Sequence, residues 1–147
     1  MTALDDVRSK VGEELGVGEW HEVTQDRINL FADATGDHQW IHVDPERAKD
    51  GPFGAPIAHG YLTLSLIPSL GGGTLGIPGT KMGINYGLDR VRFIAPVKVG
   101  SKVRARRKLL DVTEGNGWVQ LKVEVTVEIE GSDKPACVAE TLSRAYF

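Results

Sequence analysis

One cysteine in 147 residues, Cys137, excludes an internal disulfide and any metal site built from several thiolates. It stands near the start of an apparent strand and reads as a small packing residue rather than a nucleophile. Long apolar runs are missing as well. None approaches the roughly 20 residues needed to span a bilayer, and the N-terminal MTALDDVRSK lacks the apolar stretch of a secretory signal. These absences predict a cytoplasmic protein with no membrane partner. An excess of basic charge is also lacking: the formal net charge is -3 and the pI about 5.8. Neither nucleic acid nor an anionic membrane is therefore expected as the main partner, and any phosphate would have to be held by a local patch. No repeat or low-complexity stretch divides the chain. With 41% hydrophobic and 25% charged residues, it has the size and composition of one globular domain over residues 1–147.

What is present changes character near residue 80, where helical and loop-like sequence gives way to alternation. Val119, Leu121, Val123, Val125, Val127 and Ile129 are separated by Gln120, Lys122, Glu124, Thr126 and Glu128, the period of a half-buried strand. A second strand is predicted from Val97 to Leu110, joined to the first by a hairpin at Glu114-Gly115-Asn116-Gly117. Met82 to Phe93 and Ala136 to Phe147 are further candidates, the former with a phase break between Leu88 and Val91 that suggests a bulge. Glu19 to Val23 is a possible fifth. In the first half, Thr24 can cap a helix whose face carries Ile28, Phe31, Ala32 and Thr35, and Gly36 can end it. Gly60 to Leu70 is apolar nearly all round and reads as a buried helix, although Leu62, Leu64 and Leu66 also fit a strand. The fold expected is α+β, an antiparallel sheet curled around that long apolar helix.

The densest chemistry lies in DHQWIHVD, Asp37 to Asp44. Asp37 and His42 on a loop make a natural acid/base pair for moving a proton to and from water. The plain alternative is that Asp37 finishes a helix and that Asp44, before Pro45, opens a turn. His38, His42 and Asp44 also offer metal-ligand atoms, but Trp40 and Pro45 suit an irregular loop better than a helical ligand pair, so no metal is expected. Ser65 and Ser69 lack the glycine elbow of a nucleophile. Pro56-Ile57-Ala58-His59-Gly60 leads into the apolar helix, whose free N–H groups suit a developing oxyanion, with a plain turn capped by His59 as the alternative. Lys102, Arg104, Arg106, Arg107 and Lys108 could meet phosphates. At strand spacing, however, Lys102, Arg104, Arg106 and Lys108 share one face, which solvation alone explains. Gly71-Gly72-Gly73-Thr74 lacks the lysine of a phosphate loop and reads as a flexible connection.

Phe31-Ala32-Asp33-Ala34-Thr35-Gly36-Asp37, followed by His42-Val43-Asp44 and Ala48, resembles the signature of MaoC-like, (R)-specific enoyl-CoA hydratases. Arg92 to Gly100 is similar to a strand-turn-strand segment of that family. The resemblance spans roughly residues 20 to 147. In the family pattern, Asp-x-Asn-Pro-x-His, the Asp and His are the catalytic pair, matched here by Asp37 and His42. The resemblance implies a hot-dog fold and a homodimer with substrate near the interface. It also implies hydration of a trans-2-enoyl-CoA, with no metal or redox cofactor, and a Gly60 N–H on the thioester oxygen, next to His59. Gln39-Trp40 replaces the family's Asn-Pro and forms the substrate loop, where Trp40 would reshape the acyl pocket. A hot-dog thioesterase and a non-catalytic acyl-CoA-binding protein are the competing readings of the same fold.

Overall fold

In the computed structural model, which describes residues 2–147, the helices are α1 (Ala3–Ser9), α2 (Gln25–Thr35), α3 (Trp40–Val43), α4 (Pro45–Ala48) and α5 (Gly60–Ser65). The strands are β1 (Glu14–Val17), β2 (His21–Glu22), β3 (Met82–Phe93), β4 (Lys102–Gly115), β5 (Trp118–Ile129) and β6 (Cys137–Tyr146). β5 carries the alternation visible in the sequence: Val119, Leu121, Val123, Val125 and Val127 are buried, and the residues between them are half-buried. β4 runs antiparallel to it from Val103 opposite Ile129 to Gly115 opposite Trp118, which leaves Asn116-Gly117 as the turn. Gly117 adopts φ +82° there, a conformation open to glycine at little cost. The expected strand over Val97 to Leu110 is displaced. Gly100, at φ +86°, turns the chain first, so β4 begins at Lys102 and runs on to Gly115.

The sheet order is β1-β4-β5-β6-β3, with the short β2 also on β4, and every pairing is antiparallel. The register of β3 against β6 slips between Asn85 and Gly87 and again between Leu88 and Arg90. The second slip is the phase break read in the sequence. β1 and α1 went unforeseen: β1 is only four residues long, and α1 buries one apolar side chain, Val7.

α2 forms as its ends dictate. The Thr24 hydroxyl accepts from the Arg27 N–H at 3.2 Å, and Gly36, at φ +81°, donates its N–H to the Ala32 carbonyl at 2.8 Å. The helix expected from Gly60 to Leu70 is shorter than the sequence suggests. α5 ends at Ser65 and continues as a single 3-10 turn over Ile67–Ser69. Pro68 accounts for this, since it has no N–H to give and its ring would collide with the carbonyl one turn back. The segment buries one side only: Leu62, Thr63, Ile67 and Leu70 face the core, while Tyr61 is 69% exposed. The buried side packs with Ile28, Val103, Ala105, Leu109 and the inner residues of β5 in one apolar cluster.

The run Gly71 to Gly73 is packed at its second and third residues, against the Ala105 and Leu15 backbone, rather than being a loose connection throughout. All three glycines have positive φ, and a Cβ on Gly73 would stand 2.3 Å from the Leu15 carbonyl oxygen, too close for any side chain. Leu109 is fully buried at the centre of the cluster. Leu109→Ala is expected to cost about 2–5 kcal/mol of unfolding free energy, read as a lowered urea midpoint at unchanged slope.

Candidate active site

The site is assembled where three short pieces of chain meet. Asp37 follows the Gly36 cap of α2 on an exposed loop, and its Oδ1 accepts from the Gln39 backbone N–H at 3.4 Å. His42 sits on α3, a single helical turn where an irregular loop was expected, and is 7% exposed. His59 caps the start of α5 and is 2% exposed. One ring nitrogen of each histidine and an Asp37 carboxylate oxygen all lie within 4.8 Å of one another.

The imidazoles are oriented by backbone carbonyls. His42 Nδ1 donates to the Ile57 carbonyl at 2.7 Å, which leaves Nε2 with the lone pair. His59 Nε2 donates to the Asp37 carbonyl at 2.9 Å, which ties the Asp37 loop to the head of α5. The remaining His59 nitrogen, Nδ1, is buried without a partner among the described residues. The two rings stack 3.9 Å apart at 23°, and Phe31 closes on His59 at 4.9 Å. From behind, the Gln25 side-chain amide donates to the His42 carbonyl at 2.8 Å and to Asn29 Oδ1 at 2.9 Å. Neither the Ile57 carbonyl nor Gln25 announces itself in the sequence, because one is a backbone atom and the other an ordinary first-turn residue.

Burial pushes the His42 pKa below 6.5, its ordinary value. The hydrogen bond to Ile57 opposes that shift, His59 adds to it, and the Asp37 charge opposes it. His42 is therefore neutral at pH 7 and able to take a proton at Nε2. Two histidines and a carboxylate whose atoms lie this close are also a metal donor set, and the same three groups can hold a water. The other metal candidates separate: His38 pairs with Asp33 at 2.9 Å on the surface, and Asp44 caps α4 through the Arg47 N–H at 3.1 Å.

Gly60 opens α5, and its N–H makes no hydrogen bond among the described residues. A Cβ at Gly60 would meet the Phe93 ring at 3.1 Å, so the ring and the glycine backbone are in close contact. Gln39 is exposed and contributes its backbone N–H to Asp37. Trp40 lies against Gly51 and beneath the Arg47 guanidinium, 4.3 Å from its ring centroid. Cys137 is buried in the core, where burial pushes its thiol up to about 11, so it remains protonated and inert.

A protein-family model described as "MaoC like domain" matches residues 6–131. The chain belongs to the MaoC-like dehydratase family. It is 58% identical over 143 residues to the 3-hydroxyacyl-thioester dehydratase Z of Mycobacterium tuberculosis, covering 97% of this chain and 95% of that protein. Nodulation protein N of Rhizobium leguminosarum bv. viciae is 51% identical over 148 residues, covering 99% and 92%. Among solved structures, the (R)-hydratase from A. caviae involved in PHA biosynthesis superposes with a TM-score of 0.72 at 26% identity, covering 90% of this chain and 94% of that one. The hot-dog fold is shared, and the chain is a hydro-lyase of the dehydratase and hydratase type.

The environment of His42 gives a direct test. Its folded pKa lies below its unfolded one, so the stability it contributes is full above about pH 6.5 and is lost as pH falls toward the folded value. NMR titration is expected to place the His42 imidazole below 6.5 and to move it lower still in Asp37→Asn, which removes a neighbouring charge that favours the imidazolium.

Proposed function

We propose that this hydro-lyase adds water reversibly to a trans-2-enoyl-CoA in the cytoplasm, giving an (R)-3-hydroxyacyl-CoA, with Asp37 and His42 as its acid/base pair. The observation that carries the reading is the meeting of the Asp37 carboxylate with His42, whose Nδ1 is committed to the Ile57 carbonyl. That commitment leaves Nε2 as the basic nitrogen.

In the hydration direction, a water donates one hydrogen to the Asp37 carboxylate and the other to His42 Nε2. Its oxygen bonds to C3 as Nε2 takes the proton. The electron pair of the C2–C3 double bond shifts toward the thioester, and the charge that gathers on the thioester oxygen meets the Gly60 N–H. A donor of this kind contributes about 3 kcal/mol to the transition state. The imidazolium then returns its proton to C2 on the same face, so the elements of water are added across the bond and both residues end as they began. Dehydration runs the same steps in reverse. No metal or redox cofactor enters the proposed chemistry. His59 acts as a positioning residue: it stacks on His42 and holds the Asp37 backbone.

We propose further that the working unit is a homodimer. Among the described residues β3 ends the sheet with no strand on its outer side, and Met82, Ile84, Tyr86 and Leu88 along it are 54%, 38%, 50% and 44% exposed. A twelve-residue edge that carries four exposed apolar side chains invites strand pairing, and an antiparallel edge is self-complementary about a two-fold axis. The double variant Ile84→Lys, Leu88→Lys is expected to sediment as a monomer, whereas the native chain sediments as a dimer at micromolar concentration. A monomeric native chain would refute the dimer.

Loss of the enoyl-thioester absorbance on adding the protein to crotonyl-CoA, with chiral analysis of the product, tests the chemistry. Formation of the (R)-3-hydroxy product is expected, with turnover reduced roughly 100- to 10,000-fold in Asp37→Asn and in His42→Ala. The acid limb of kcat/KM for hydration is expected to have its midpoint below pH 6.5, since the base must be neutral. A fully active Asp37→Asn enzyme would end the assignment, and release of free thiol in place of hydration would make the protein a thioesterase.

A further inference from the structure

Arg107 is the one member of the basic run that turns inward. On β4 the side chains of Val103, Ala105 and Leu109 are buried on the inner face, and Arg107 lies between them at 8% exposure. Its guanidinium donates from Nε to the Gly71 carbonyl and from Nη2 to the Ile67 carbonyl at 2.6 Å. Those bonds use two of its five N–H groups. No carboxylate pairs with it among the described residues, and burial alone shifts it below its ordinary value, with no neighbouring charge to offset the cost. A guanidinium remains cationic even so. Its neighbours in the run, Arg104 and Arg106, are by contrast both paired with Glu128 on the outer face.

This uncompensated cation borders a cavity of about 590 Å³ lined by Leu64, Ile67 and Leu142 on its apolar side and by Asn85 and Thr141 on its polar side. That is the volume and chemistry of a small-molecule pocket. α5 connects the cavity to the site described above. Gly60 begins the helix, while Leu64, Ser65, Ile67 and Pro68 of the same segment face the cavity. From Gly60 to the end of the 3-10 turn the segment is about 15 Å long, by the rise of its six α-helical and three 3-10 residues.

We propose that this cavity receives the far end of the acyl chain and that Arg107 selects chains that end in a carboxylate. The inference rests on the hydratase reading for the position of the thioester at Gly60. A carboxylate would supply the counter-charge that the fold withholds and accept from the N–H groups left over by Ile67 and Gly71, in a charge-assisted and partly desolvated contact. The methylenes between it and the thioester would lie along Leu64, Ile67 and Leu142. Asn85, whose side-chain amide has donors to give, would be placed to hold the second carboxylate oxygen.

The test compares two substrates of equal length on the native enzyme, the mono-CoA thioester of trans-2-decenedioic acid and trans-2-decenoyl-CoA. The carboxylate-terminated chain is expected to have at least a tenfold higher kcat/KM, and Arg107→Met to abolish or invert that ratio. Equal turnover, or preference for the methyl-terminated chain by the native enzyme, would overturn the proposal whether or not the variant folds. Failure of the native enzyme to hydrate either chain or crotonyl-CoA would refute the hydratase reading instead. The thermal shift given by decanedioate against decanoate would then decide the role of Arg107: a larger shift with the dicarboxylate supports it, and an equal or smaller one overturns it.

Discussion

The peptide at Ile57 is where the site and the sheet are joined. Its carbonyl accepts from His42 Nδ1 at 2.7 Å, and its N–H donates to the Ile41 carbonyl at 3.0 Å, so α3 is bound to it on both sides. The flanking Ala58 N–H reaches the Val97 carbonyl, and the Val99 N–H reaches the Pro56 carbonyl, both at 2.8 Å. Three residues thus couple a one-turn helix, too short to persist alone, to the segment that feeds β4. The tautomer of His42, and with it the basicity of Nε2, follows from this contact. A side chain in that role could rotate away, whereas a carbonyl held by the bridge between Ile57 and Lys98 cannot.

What was legible in the sequence is what a local rule determines. The β5 alternation, the asparagine-glycine turn, the Thr24 and Gly36 caps and the Asp37 loop each depend on a few neighbouring residues, and each occupies its expected place. The errors come from competition between rules. Apolar character predicted a helix through Leu70, but Pro68 ends the α-helical hydrogen bonding before apolar character can prevail. The glycine run read as flexible because glycine is permissive. In the fold, that permissiveness lets Gly73 lie against the Leu15 backbone. Arg107 shares the parity of Val103, Ala105 and Leu109, so the alternation that puts Lys102, Arg104, Arg106 and Lys108 on one face leaves it on the other; its partners, the Ile67 and Gly71 carbonyls, carry no local signal.

The convergence of Asp37 with His59 was likewise beyond local reading. Twenty-two residues separate them, and what joins them is a bond from a side chain to a backbone carbonyl. His59 also accepts an unusual cost. A buried ring nitrogen without a partner forfeits hydration that a smaller apolar cap would not need. The stacking on His42 and the hold on the Asp37 loop are gained in exchange, and both act on the placement of Asp37 against His42 rather than on the stability of α5.

The same reasoning separates the two ends of α5. At its head, His59 holds the loop, Phe93 closes on Gly60, and the Gly60 N–H is left free among the described residues, as the proposed chemistry needs. At its tail, Arg107 satisfies the Ile67 and Gly71 carbonyls, which are the last acceptors of the helical segment and the first of the glycine run. Those two bonds explain a donor at position 107 but not a charge, because a neutral amide could satisfy two carbonyls without the penalty of burying a cation. The fold therefore accounts for part of the guanidinium, and the remainder faces a cavity large enough to hold a ligand. On the proposed reading, a helix of six residues with an oxyanion donor at one end and a cation without a counter-charge beyond the other would measure its substrate along its own length.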